Sequence, residues 1–119
     1  MAAKLVLLIA NETSATNQKK QEEVKQVCRG WKLDWEEVDG TLEENRELRS
    51  KLWDISGKKA EWPQAFALKD DGEYVFLGDH ELIQKVNEMT SYIKENPEVR
   101  EANPDAKTFD EVFELVMPQ

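Results

Sequence analysis

A proline stands at the head of a run that otherwise reads as a buried strand, Glu61-Trp62-Pro63-Gln64-Ala65-Phe66-Ala67-Leu68. Proline cannot donate to a sheet ladder, so a strand tolerates it at its first residue and seldom further in. An X-Pro bond keeps only about 0.5–1 kcal/mol of preference for trans, so a fold can hold Trp62-Pro63 as a cis turn at small cost. The pattern predicts a cis bond ahead of a strand, on the rim of a ligand groove.

The segments on either side supply the rest of the sheet. Leu5-Val6-Leu7-Leu8-Ile9-Ala10 is continuously apolar, as expected of a central strand covered on both faces. A polar stretch, Asn11 to Asn17, follows as a loop in which Thr13 and Ser14 can accept bonds from a helix N-terminus. From Gln18 to Arg29 the positions Val24, Val27, Cys28 and Trp31 mark one helix face, and Gly30 marks its end. Leu33, Trp35 and Val38 suggest an edge strand. Thr41-Leu42-Glu43-Glu44 has capping-box spacing and predicts a second helix through Leu48, Leu52 and Ile55, stopped at Gly57. Ala65–Leu68 and Tyr74–Leu77, joined by Asp70-Asp71-Gly72, read as a hairpin. Gly78-Asp79 then opens a third helix, with Asp79 as its cap, ending at Asn96-Pro97.

Residues 95–119 form an acidic extension with a second Asn-Pro pair, read as loop, and a second capping box at Thr108 and Glu111. Behind that box Phe109, Val112, Phe113 and Val116 make an apolar stripe that packs either on this chain or on a partner's groove.

With 119 residues the chain suits one core domain, over residues 1–94, plus the extension. The net charge of −9 opposes nucleic acid and anionic membranes as partners. One cysteine permits neither an internal disulfide nor a cysteine-based metal site, which suits a reducing compartment. The early apolar run is too short for a membrane span or a signal peptide, so the expected location is cytoplasmic.

The order βαβα, hairpin, helix implies an α/β protein: two parallel strands joined by a crossover, an antiparallel pair, and a four-stranded mixed sheet flanked by helices. With Trp62-Pro63 and Gly78-Asp79 at their positions, residues 4–93 resemble the thioredoxin fold. Ile9-Ala10 with the Ser/Thr-rich loop and Gln18-Lys19-Lys20-Gln21, then Glu43-Glu44-Asn45-Arg46, Pro63-Gln64-Ala65-Phe66 and Gly78-Asp79, resembles the SH3-domain-binding glutamic-acid-rich-like family. That resemblance implies a glutaredoxin-like protein that has lost its redox cysteines and acts mainly by binding other proteins; a monomer is expected, with no cofactor other than glutathione. The family's proline-rich SH3 ligand is reduced here to one proline, so the P-x-x-P spacing is gone.

Glutaredoxins place a C-x-x-C between the first strand and first helix, and here the corresponding places fall near Ser14-Ala15 and Asn17-Gln18. A serine or threonine without an activating base is a far poorer nucleophile than a thiolate, so no catalytic residue is expected. Cys28 falls on the apolar stripe of helix one, where a core thiol is expected. By the resemblance, Trp62 and Pro63 would face the cysteinyl part of a glutathione-like ligand or peptide. Gly78, Asp79 and His80 would hold its other end, and Lys19 or Lys20 its remaining acid. Glutathione binding, or a glutathione-dependent transferase-like activity with Ser14 or Thr13 near the place of the thiol, is therefore the alternative to a purely protein-binding role. His80, the one histidine, has no partner in sequence that would make it a catalytic base or a metal ligand.

Overall fold

The early apolar run becomes strand β1, Lys4–Ile9, and its alternation sets the layers of the molecule. Residues 3–118 are described here, in a computed structural model. Leu5, Leu7 and Ile9 join one core with Val24 and Cys28 of helix α1 (Ala15–Gly30). Val6 and Leu8 turn the other way, to Leu52 of helix α2 (Arg46–Ser56) and Phe66 of strand β3 (Gln64–Leu68). Strand β2 is Trp35–Asp39 and strand β4 is Tyr74–Asp79.

The sheet has the order β2-β1-β3-β4. β1 runs parallel to β2, with Leu5 opposite Trp35, and antiparallel to β3, with Leu8 opposite Gln64. The β3–β4 pair is antiparallel, and its register slips between Ala65, opposite Gly78, and Phe66, opposite Phe76. Leu77 is thus the extra residue of a bulge on an edge strand, a feature that discourages pairing with other chains. The protein is a mixed α/β structure with helices on both faces. Among the described residues no helix is long and apolar enough to cross a membrane.

Helix α1 begins earlier than the sequence spacing suggests, because Ser14 caps it by accepting the Asn17 N–H at 3.1 Å. The first capping box does not form. Thr41 instead donates its N–H and hydroxyl to Asp39 Oδ1, at 2.9 and 2.6 Å, and a 3₁₀ turn over Glu43–Asn45 precedes α2. Gly57 ends α2 with φ 71°, as its position predicts. Gly72 (φ 86°) turns the hairpin. Helix α3 is His80–Glu95, and Asp79 caps it through the Leu82 N–H at 2.9 Å.

One feature of the extension departs from expectation. A short helix, α4 (Glu98–Ala102), replaces the predicted loop, because the fixed φ of Pro97 suits a helix start as well as a turn. The stripe beyond it belongs to the core. Helix α5 (Phe109–Val112) forms the second capping box as expected. Phe109, Phe113 and Val116 are buried among Leu5, Leu7, Ile83 and Val86, with Val112 packed at the margin. Of the two places the sequence leaves open for this stripe, on this chain or in a partner's groove, it takes the first: Phe109, Phe113 and Val116 are covered and Val112 is partly covered, because Trp31 and α3 complete a site for them.

Candidate functional site

A cleft of about 310 Å³ opens where the loop before β3 meets the starts of α1 and α3. Asn17 and Lys20 line it from α1, Lys58 and Ala60–Pro63 from the loop, Asp79 from the end of β4, and His80 and Glu81 from α3. Of the residues expected to form a groove, Trp62, Pro63, Asp79, His80 and Lys20 come together here. Lys19 is exposed and does not line the cleft. Gly78 is also outside its lining, and its lack of a side chain serves packing, since an added Cβ would lie 3.1 Å from Leu82 and 3.3 Å from Ile83.

The Trp62–Pro63 bond is cis, as the sequence predicts. The loop ahead of it is held by Gln64, which is fully buried and donates from Nε2 to the carbonyls of Lys58 (2.7 Å) and Glu61 (3.0 Å). The Trp62 indole packs toward α2, edge-on to Trp53 with centroids 5.3 Å apart, on the side of the sheet that carries Val6, Leu8 and Phe66. Its main chain is free: among the described residues no protein group takes up the Trp62 N–H or carbonyl.

The charges of the cleft are largely paired. Lys58 Nζ lies 3.2 Å from Asp79 Oδ2 and 3.9 Å from Glu61 Oε2. Partial burial pushes the Asp79 carboxyl up, but the Leu82 amide and Lys58 outweigh it and hold it below the usual carboxylate range. The hydrogen bond to Asp79 and the charges of Asp79 and Glu61 raise the Lys58 ammonium in turn. His80 Nε2 lies 3.3 Å from Glu23 Oε2, which also accepts from Gln84 Nε2 at 3.1 Å, so the histidine ties α3 to α1. The first-turn amides of His80 and Glu81 have no intrahelical partners, leaving donors for an anionic group.

Nothing in this arrangement activates a nucleophile. Ser14 accepts the Asn17 N–H, and Thr13 Oγ1 accepts from Asn17 Nδ2 at 2.8 Å. Burial pushes the Cys28 thiol up to about 12, against a smaller opposite effect of Arg29. It is fully enclosed within the core and stays a neutral thiol at physiological pH. Among the described residues no group of histidine, cysteine and carboxylate side chains could hold a metal ion.

Two glutamines are the positioning residues that sequence reasoning passed over. Gln64 holds the loop. Gln21 bonds Ala10 on both sides, accepting its N–H at 2.8 Å and donating to its carbonyl at 3.1 Å, which fixes the end of β1 to α1. Each stands at a position where periodicity wants a hydrophobe, and that mismatch was the available signal. No family model matches this sequence and a search of curated proteins returns no match, so the chemistry of the cleft is the guide to its use.

Proposed function

We propose that this chain is a thioredoxin-fold, glutaredoxin-like protein of the SH3-domain-binding glutamic-acid-rich-like kind, a monomeric cytoplasmic module that binds another protein and performs no redox chemistry. The strand order β2-β1-β3-β4, with one parallel pair and a terminal antiparallel hairpin, is what that fold requires. The observation that carries the reading is the unpaired main chain of Trp62 in an open cleft, its ring turned away. An extended segment of a partner gains two main-chain hydrogen bonds there, a short form of strand addition. Ser14 stands near the place of the redox thiol, bonded only as a helix cap.

Glutathione binding is the second reading. Lys20 and the free first-turn amides of α3 suit its two carboxylates, and the cleft volume of about 310 Å³ lies at the small end of ligand sites. One pair of measurements tests both readings. Glutathione-dependent reduction of a small disulfide is expected to stay at background, and turnover that persists in Cys28→Ser would overturn the non-redox reading. Titration of ¹⁵N-labelled protein with millimolar glutathione decides the second, which ends if the amides of Trp62, Asp79 and His80 do not shift.

A further inference from the structure

Gly40 follows β2 in a loop remote in sequence from the cleft, yet a Cβ added there would collide with the far edge of the Trp62 indole, at Cη2 and Cζ3. The backbone of Gly40 is therefore the seat of that ring. The seat is reinforced from two directions. Arg49 Nη1 donates to the Gly40 carbonyl at 2.9 Å, and its guanidinium lies 5.0 Å from the centroid of Trp53. Trp53 in turn meets Trp62 edge-on. Gly40, Arg49, Trp53 and Trp62 thus close a ring of contacts that ties the loop before β3 to the loop after β2.

We propose that Gly40 is the residue that keeps the cleft open, by giving the Trp62 indole a place outside it. The assignment rests on reading the cleft as a binding site. A tryptophan has only two side-chain torsions, so a ring denied its seat must rotate. Trp53 occupies the α2 side, and on this proposal the displaced ring turns to the cleft that Trp62 already lines. There the indole covers the Trp62 main chain and takes the space between Lys20 and Asp79. A side chain as small as a methyl group at position 40 is then enough to shut the site from the opposite face of the sheet.

The test is Gly40→Ala, alone and combined with Trp62→Phe, whose shorter ring lacks the two atoms that collide. In the wild type, nuclear Overhauser contacts from the Trp62 indole are expected to reach the α-protons of Gly40. In Gly40→Ala they are expected to move to Asn17, Lys20 or His80, and affinity for the probe, glutathione, to fall about tenfold or more. The double variant is expected to regain wild-type affinity, which general loosening of the fold would not produce. The assignment is overturned if the indole of Gly40→Ala stays on residue 40 or swings into solvent, or if, where the wild type binds glutathione and Gly40→Ala does not, Trp62→Phe restores nothing. Failure of the wild type to take glutathione would end the glutathione reading alone, because the ring contacts decide the role of Gly40 without any ligand.

Discussion

Gln21 lies on the same face of α1 as Val24 and Cys28 and is only 3 % exposed, so a leucine there would seem the better core residue. The hydrogen bonds argue otherwise. Replacing the amide by an alkyl group orphans the N–H and the carbonyl of Ala10 inside the protein, at about 1–3 kcal/mol for each group left unpaired. Gln21→Leu is therefore expected to lose about 2–4 kcal/mol of stability despite its greater hydrophobicity, net of what the added apolar burial returns. Urea unfolding measures this, and a variant as stable as the wild type would mean that Ala10 finds other partners. The position of such residues is legible in sequence as a polar intrusion into an apolar stripe. Their partners are not, because Gln21 and Ala10 are joined only once β1 and α1 have packed. The same holds for Gly40, whose role depends on a tryptophan brought to it by the sheet.

Two segments of the chain carry the same capping-box spacing, Thr41 to Glu44 and Thr108 to Glu111, and only the second folds as one. A competitor decides the difference. Asp39, two residues before Thr41, takes both its hydroxyl and its N–H, whereas Thr108 has Glu111 as its acceptor. Local pattern thus located both ends of α3 and the start of α5, ran the α5 stripe past its last turn into the 3₁₀ segment Glu114–Val116, and misread the start of α2, where a neighbour outside the motif held the stronger claim. The cap of α3 makes a pH prediction. Asp79 is held below its usual value, so its contribution is complete above the unfolded carboxylate value of about 3.9 and is lost as pH falls through the lower folded value. Lys58 is raised, so its side of the pair is complete below about 10.4 and is lost only as pH rises through its folded value. Asp79→Ala removes cap and pair together and is expected to cost about 0.5–2 kcal/mol at pH 7. Asp79→Asn keeps an acceptor for the Leu82 N–H and is expected to lose less. The gap between wild type and Asp79→Ala should begin to narrow below about pH 3.9, where the unfolded carboxyl takes up its proton, and narrow further as pH falls through the lower folded value. An equal gap at pH 7 and pH 3 in denaturant titrations would show that the charge of Asp79 does not contribute.

At the scale of the whole molecule, the sheet is covered on both faces, and part of the cover on one face comes from the last segment of the chain. The sequence already implied a two-sided sheet, since Leu5 to Ile9 offer hydrophobes to both faces in alternation. It left open what the stripe after Thr108 would cover, because an amphipathic helix looks the same whether its groove lies at home or on a partner. The home groove is now specific. Phe109 stacks on Trp31 at 4.9 Å and on Phe113 at 4.1 Å, and Thr90 Oγ1 accepts the Phe109 N–H at 2.7 Å. Arg100 pairs with Glu111 across the turn, and the Leu115 carbonyl accepts the N–H of Ala3 beside β1. Truncating a buried phenylalanine to alanine costs about 3–5 kcal/mol, against a total of about 5–15 kcal/mol for a folded domain. Phe113→Ala is expected to lose that amount, and deletion of residues 107–119 to remove most of the stability by uncovering Leu5, Ile83 and Val86 together. Guanidinium titrations followed by circular dichroism measure both. A truncated chain with an unchanged midpoint would mean that the docked segment contributes nothing at home, and would return Phe109, Val112, Phe113 and Val116 to the partner groove that their spacing also allows.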